Sequence, residues 1–155
     1  MDELYRLVGI VMHNAQAIER NLSLIVYYND ILSVFGDADT VPDEDYDKNH
    51  ASADELYEDM SWMTMGEILK LVSGTSVLEQ ETAERISRVL KHRNYVAHGL
   101  FKEDVFCDGG SLSQTELSSM KERLAEEVVF SSDLNADLLK IVRELVEEYE
   151  AVEQL

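Results

Sequence analysis

The longest apolar pattern of the chain lies in residues 3–35, ELYRLVGIVMHNAQAIERNLSLIVYYNDILSVF. Apolar side chains recur there in steps of three and four, which is the spacing of one helix face. The positions on this face are Leu4, Val8, Val11, Ala15, Ile18, Leu22, Ile25 and Leu32. Further apolar residues, including Leu7, Ile10 and Leu24, widen the face. The sequence therefore predicts a helix covered on two sides, as in a helical bundle.

The rest of the chain also has a helical pattern. Three Ser/Thr-x-x-Glu capping boxes, beginning at Ser52, Thr64 and Ser113, predict the starts of three further helices. Another helix is predicted over residues 77–98, and the last helical region continues to the C-terminus unless residues 131–133 break or bend it. One proline and seven glycines supply few turns. We therefore predict an all-α fold, a bundle of four to five helices with two long antiparallel helices.

The size and charge of the chain limit its architecture and its partners. Its 155 residues are expected to form a single domain, residues 1–155. The net charge of −19 argues against broad nucleic-acid binding, because polyphosphate would repel the protein. Residues 36–59 and 100–155 each carry a net −9, with an acidic loop predicted at about 36–51, whereas residues 60–99 carry +1. With 45% apolar residues, the chain is too hydrophobic for a disordered acidic tail.

Several classes of protein are excluded by what the sequence lacks. The opening MDELYRLVG contains acidic residues and no uninterrupted apolar core, so it does not resemble a secretory signal. No stretch approaches the roughly 18 apolar residues of a membrane span. Cys107, the single cysteine, cannot form an intrachain disulfide or a cysteine-based zinc cluster. No histidine follows a glutamate by three residues, as di-iron bundles require. We expect a cytoplasmic protein without membrane contact, metal or cofactor.

Residues 91–99, KHRNYVAHG, hold the strongest candidate for chemistry. Continuing the apolar phase from Ile86 places Arg93 at an inward position, which is costly for a charge unless it is paired or used. Asn94 and His98 are four residues apart and share a helix face. His98 also ends the predicted helix, where the helix dipole favours an imidazolium. Arginine, asparagine and histidine in this arrangement can hold a phosphate and move a proton near neutral pH.

The run Arg93-Asn94-x-x-x-His98 resembles the motif of HEPN domains, in which four to six residues separate an arginine, often followed by a polar residue, from a histidine. HEPN domains are small helical bundles that carry this motif in a late helix facing a dimer interface. Residues 65–71, MGEILKL, are similar to the short helix before the motif helix in several HEPN groups. The resemblance implies an HEPN-like fold over the whole chain.

The resemblance also implies a function, a metal-independent endoribonuclease that needs no cofactor. Arg93 would stabilise the negative charge on the phosphorane, His98 would act as general acid and base, and Asn94 would orient His98 or the phosphate. The two motifs of a homodimer would form one composite site on an RNA substrate. Many such proteins are toxins or phage-defence effectors encoded beside a nucleotidyltransferase antitoxin, which implies that antitoxin or another basic partner here. Leu100 stands where one toxin group has a modified tyrosine, so that regulation is not implied.

Three neighbours of the motif are candidate substrate-binding residues. Tyr95 is placed to stack on a base, and His92 and Lys91 are placed to assist in binding the substrate. A core position for Tyr95 and a solvated one for His92 are the structural alternatives. The aromatic and sulfur-containing cluster Trp62, Met63 and Met65 is expected to lie in the core.

An alternative function remains open. Arg93 and His98 would then be a polar pair that fixes helix register in a non-catalytic HEPN-like module. An acidic helical protein could also be an interaction module that mimics nucleic acid or regulates a basic partner. The distribution of carboxylates separates these hypotheses, because a nuclease requires a local gap in the negative field.

Overall fold

The computed structural model describes residues 1–35, 43–100 and 113–153. These residues form five α-helices and no β-strand, which confirms the all-α helical bundle. The helices are α1 (Asp2–Phe35), α2 (Asp43–Met60), α3 (Met65–Ser73), α4 (Gln80–His98) and α5 (Gln114–Glu153). Cys107 lies outside the described residues.

The two longest helices, α1 and α5, run in the same direction. Residues pair in increasing order along both helices: Glu3 with Lys121, Asn14 with Ser131, Asn21 with Asn135 and Tyr28 with Tyr149. The prediction that the two long helices are antiparallel is therefore wrong. The reason is that α4 runs back along α1 and ends beside its N-terminal end, where Leu100 shares a cluster with Leu4 and Leu7. The next helix, α5, thus begins at the same end as α1.

Helix α2 occupies much of the segment predicted as an acidic loop. The loop prediction is wrong from Asp43 onward, and residues 36–42 lie outside the described part of the chain. Acidic residues are favourable in the first turn of a helix, so an acidic run does not by itself indicate a loop. The predicted helix start at Ser52 is also wrong, because Ser52 lies inside α2. Burial of Ala53 and Met60 holds this helix against the bundle.

The capping boxes at Thr64 and Ser113 are confirmed. The Thr64 N–H donates to the Glu67 carboxylate at 2.7 Å, and the Ser113 N–H donates to the Glu116 carboxylate at 2.9 Å. Helix α5 then continues without interruption through residues 131–133. Ser131 remains inside the helix because its hydroxyl donates to the carbonyl of Glu127 at 2.7 Å.

Two apolar clusters form the interior, and polar side chains lie between them. The first cluster includes Ala15, Ile18, Leu22, Ile25, Met65, Ile68, Ile86, Val89, Leu134 and Leu138. The second includes Leu4, Leu7, Val11, Val96, Leu100, Met120 and Leu124. Between them, Asn14 of α1 donates to the Ser131 hydroxyl of α5 at 2.9 Å. On α4, Arg93 falls between Val89 of the first cluster and Val96 of the second. The core is therefore interrupted by polar groups at one level of the bundle.

A second pair of polar side chains interrupts the apolar contact between the two long helices. Asn21 of α1 donates to Asn135 of α5 at 2.8 Å, and Asn21 is buried. Over residues 1–35, 43–100 and 113–153, no helix has both the length and the apolar character needed to cross a membrane.

Candidate functional site

Helix α4 places Arg93 at the edge of the core. Ile86, Val89 and Val96 are buried on one side of this helix. Arg93 lies on the same side, three to four residues from its apolar neighbours, and is half-buried. A long charged side chain at such a position buries its aliphatic stem against the apolar residues and keeps its guanidinium in contact with water.

An open cleft of about 640 Å³ brings Arg93, Asn94 and His98 together. Its other walls come from α1, from the turn before α3 and from the first residues of α3. The residues that complete it are Glu19, Met63, Thr64, Met65, Gly66 and Leu90. Asn94 and His98 are exposed, whereas Met65 is buried at the base of α3. The three residues of the predicted motif therefore face one concave surface.

Arg93 differs from the other arginines of α4 in its partners. Arg85 donates to Asp137 at 2.9 Å, and Arg88 forms an ion pair with Glu127. Arg93 donates to a neutral acceptor, the Asn94 side-chain oxygen, at 3.1 Å. Within the described part of the chain, no carboxylate lies within ion-pair distance of Arg93. Glu19 lines the same cleft but makes no ion pair with Arg93, and a half-buried guanidinium without a direct anionic partner is a candidate binding group for an anion.

The end of α4 fixes His98 at the mouth of the cleft. Gly99 caps the helix, and its N–H donates to the Tyr95 carbonyl at 2.7 Å. A Cβ atom at Gly99 would lie 2.9 Å from a ring carbon of Tyr95, so this close approach requires glycine. His98 is the last helical residue, and its exposed side chain lines the cleft.

The start of α3 forms the wall opposite α4. Thr64, Met65 and Gly66 line the cleft, so the partial positive charge of this helix N-terminus adjoins it. The capping box holds this wall in place, since the Thr64 hydroxyl donates to Glu67 at 2.7 Å. Hydrogen bonds from the Thr64 backbone and then from its hydroxyl lower the pKa of Glu67, so this carboxylate stays charged.

A second depression, of about 370 Å³, shares Arg93 and Glu19 with the cleft. Arg20 of α1 adds another cation to it, and Tyr57 and Ser61 line it from the end of α2. Arg93 therefore stands between two concave surfaces that are open to solvent.

The three predicted substrate-binding residues do not line the cleft. Lys91, His92 and Tyr95 line a separate depression of about 520 Å³ with Glu84, Ser87 and Arg88. The predicted grouping of all six residues in one site is therefore not what the structure shows. Tyr95 is half-buried and packs against the second apolar cluster.

His92 is half-buried between α4 and α5. Its Nδ1 lies 4.0 Å from a carboxylate oxygen of Glu127. Its Nε2 is buried and has no hydrogen-bond partner among the described residues. Burial lowers the pKa of His92, the Glu127 carboxylate opposes this, and the charges of Arg88 and Arg123 reinforce it. The neutral imidazole is therefore favoured, which suits a packing role between the helices.

Several residues of the cleft are not among those predicted. Glu19 and the segment Thr64–Gly66 come from parts of the chain distant in sequence from the motif. The capping box at Thr64 and the resemblance of residues 65–71 to the short helix of HEPN domains mark the second of them, and nothing in the sequence marks Glu19. The cluster of Trp62, Met63 and Met65 is predicted from the sequence to lie in the core. This prediction is confirmed for Met65, which is 3% exposed, and wrong for Trp62, which is 90% exposed. Adjacent apolar residues on a short turn cannot all point inward, and Trp62 is the one left outside.

Comparison with known proteins leaves the family unassigned. No protein-family model, no curated protein and no solved structure matches this chain. Among the described residues, no three His, Cys, Asp or Glu side chains are grouped so that they could hold a metal ion.

Proposed function

We propose that the protein is a metal-independent endoribonuclease of the HEPN type. The observation that carries the proposal is a half-buried arginine, without a carboxylate partner in the described chain, on the same open cleft as His98 and Asn94. A half-buried guanidinium without a direct ion-pair partner favours an anionic ligand.

The chemistry assigned to these residues is transesterification within RNA. The ribose 2′-OH attacks the adjacent phosphate, a bond from O2′ to phosphorus forms, and the bond to O5′ breaks. The proton leaves the 2′-OH and a proton reaches the 5′ oxygen, so the products carry a 2′,3′-cyclic phosphate and a 5′-OH. Arg93 binds the phosphorane, His98 transfers protons, and Asn94 holds the Arg93 guanidinium through the bond at 3.1 Å.

A homodimer suits this chemistry better than a single copy. The reaction needs one group to accept a proton and another to donate one, and His98 is the only histidine among the residues lining the described cleft. A second copy facing the exposed side of Asn94 and His98 would supply a second His98. We therefore propose a composite dimer site, and a toxin or phage-defence role under control of a nucleotidyltransferase antitoxin or another basic partner.

The test is cleavage of labelled single-stranded RNA by the purified protein in EDTA. Arg93→Ala should lower the rate by about 10² to 10³, because one stabiliser of transition-state charge is lost. His98→Ala should lower it by about 10² to 10⁴, because proton transfer is lost. Mass spectrometry of the fragments should find 2′,3′-cyclic phosphate ends, and RNA with 2′-O-methyl riboses should not be cut.

Matched variants separate the site from a general loss of charge. Arg143→Ala removes an exposed arginine of α5, and His13→Ala removes an exposed histidine of α1. Both should cleave at the wild-type rate. Absence of cleavage by the wild type, or cleavage that survives both site substitutions, contradicts the proposal.

A second candidate function is an acidic interaction module. The end of α5 favours it, because Glu144, Glu147, Glu148 and Glu150 are all exposed after its last basic residue. If RNA is not cut and the protein instead forms a salt-sensitive complex with a polycation such as polylysine, this function is preferred.

A further inference from the structure

Trp62 is the most exposed large apolar side chain of the described residues. Its exposed fraction is 90%, whereas the next values are 61% for Val129 and 52% for Tyr5. An indole buries a large apolar area when it finds a partner, so leaving it in water forgoes a large stabilisation. It is also the single tryptophan of the chain.

The backbone holds Trp62 in one place. The N–H groups of Ser61, Trp62 and Met63 donate to the carbonyls of Glu58, Asp59 and Met60 at 3.0, 3.0 and 3.1 Å. The capping box of α3 begins two residues later. An indole on such a hydrogen-bonded turn is presented outward by fixed backbone.

This turn lies where the two depressions around Arg93 meet. Ser61, on one side of Trp62, lines the depression that contains Arg20 and Arg93. Met63, on the other side, lines the cleft that contains Arg93 and His98. The Trp62 backbone therefore lies between residues that line the two concave surfaces, and its indole, which lines neither of them, is exposed to solvent.

We propose that Trp62 is a stacking platform for an unpaired RNA base at the mouth of the cleft. This inference rests on the proposed function and adds to it a residue that binds a base of the single-stranded substrate. Aromatic platforms beside cationic grooves bind single strands, because every base has a π-face while the cations hold the phosphates. Arg20 and Arg93 supply cations in the two depressions beside the turn, which Glu19 also lines. Paired bases are inaccessible to such a platform, so duplex RNA is excluded.

The test uses the emission of Trp62 itself, excited where tyrosine does not absorb. Single-stranded 2′-O-methyl RNA, which cannot be cleaved by 2′-OH attack, is titrated into the wild-type protein. We expect the emission to be quenched as the strand binds. Trp62→Ala should weaken binding by roughly 5- to 150-fold, measured by fluorescence anisotropy of a labelled strand, whereas Trp62→Phe should retain most of it. Val129→Ala, which removes an exposed apolar side chain of α5, should bind as the wild type does.

Two further strands test the stacking directly. An abasic strand keeps the phosphates but has no bases, and it should neither quench the emission nor distinguish Trp62→Ala from wild type. Duplex RNA of the same sequence should not quench it either. Quenching by the abasic or duplex strand, or equal binding by wild type and Trp62→Ala, overturns the proposal.

The outcome for Trp62 can be told apart from the outcome for the nuclease. If Arg93→Ala and His98→Ala lose cleavage while Trp62→Ala binds and cleaves as wild type does, the platform is refuted and the nuclease stands. If the wild type does not cleave RNA but the strand quenches Trp62 and Trp62→Ala loses binding, the nuclease is refuted and the platform stands. If the emission of RNA-free protein changes with protein concentration, Trp62 lies against a second copy and the platform is refuted.

Discussion

His92 links the pH of the solution to the stability of the bundle. Because burial lowers its pKa, the folded protein binds the proton less tightly than the unfolded chain. Above about pH 6.5, the pKa of an unperturbed histidine, His92 is mostly neutral in both the folded and the unfolded chain, and its protonation does not reduce the stability of the fold. As the pH falls through that value, the unfolded chain is protonated first and stability decreases. Below the lowered pKa of the folded state, no further decrease arises from this group.

The prediction is measured as the free energy of unfolding in urea between about pH 5 and pH 8. His92→Gln should lose less stability over the acidic part of this range than the wild type does. His13→Gln, at an exposed position of α1, controls for the substitution itself. Equal losses in the wild type and His92→Gln would show that the imidazole is not responsible.

Single residues of the candidate site were predictable where the signal is local to one helix. The apolar phase of α4 indicates that Arg93 is turned toward the core, and the Gly99 cap locates the helix end at His98. The contribution of Glu19 has no such signal, because it depends on how α1 packs beside α4. The same limit explains Tyr95: adjacency in sequence to Arg93 does not place both on one cleft.

At the scale of elements, the Thr64 capping box supports both the fold and the cleft. Thr64→Ala removes the side chain that caps α3, so we expect a loss of about 1 kcal/mol in the free energy of unfolding. The start of α3 also lines the cleft, so RNA cleavage should decrease, by less than in Arg93→Ala. Thr64→Ser keeps the hydroxyl and should remain close to wild type in both measurements. A Thr64→Ser protein as unstable as Thr64→Ala would show that the hydroxyl does not cap the helix.

Local patterns predicted elements well and their arrangement less well. The boxes at Thr64 and Ser113 mark real helix starts, whereas the same pattern at Ser52 lies inside α2. A capping pattern marks a start only if the chain before it is not already helical, which the pattern itself does not report. The direction of α5 relative to α1 depends on where α4 ends. No periodicity within α1 or α5 contains that information.

At the scale of the whole molecule, the charge of −19 opposes both partners of the proposed site. Two copies repel each other, and each repels RNA at long range, while the attraction at Arg93 is local. Salt screens long-range repulsion first, since the Debye length falls from about 30 Å at 0.01 M to about 8 Å at 0.15 M ionic strength. Moderate salt should therefore strengthen dimerisation and speed cleavage. The opposite is expected for a basic RNA-binding protein, whose affinity for RNA decreases as the salt concentration rises.

The measurement is the initial rate of cleavage at subsaturating RNA across a KCl series in EDTA. Sedimentation velocity at each salt concentration reports the dimer. We expect the rate to rise from low to moderate salt and to fall near 1 M, where the Debye length of about 3 Å also screens contacts inside the cleft. The dimer fraction should rise with the rate over the first part of the series. A rate that falls steadily from the lowest salt would mean that local cations, rather than the net charge, govern the encounter with RNA.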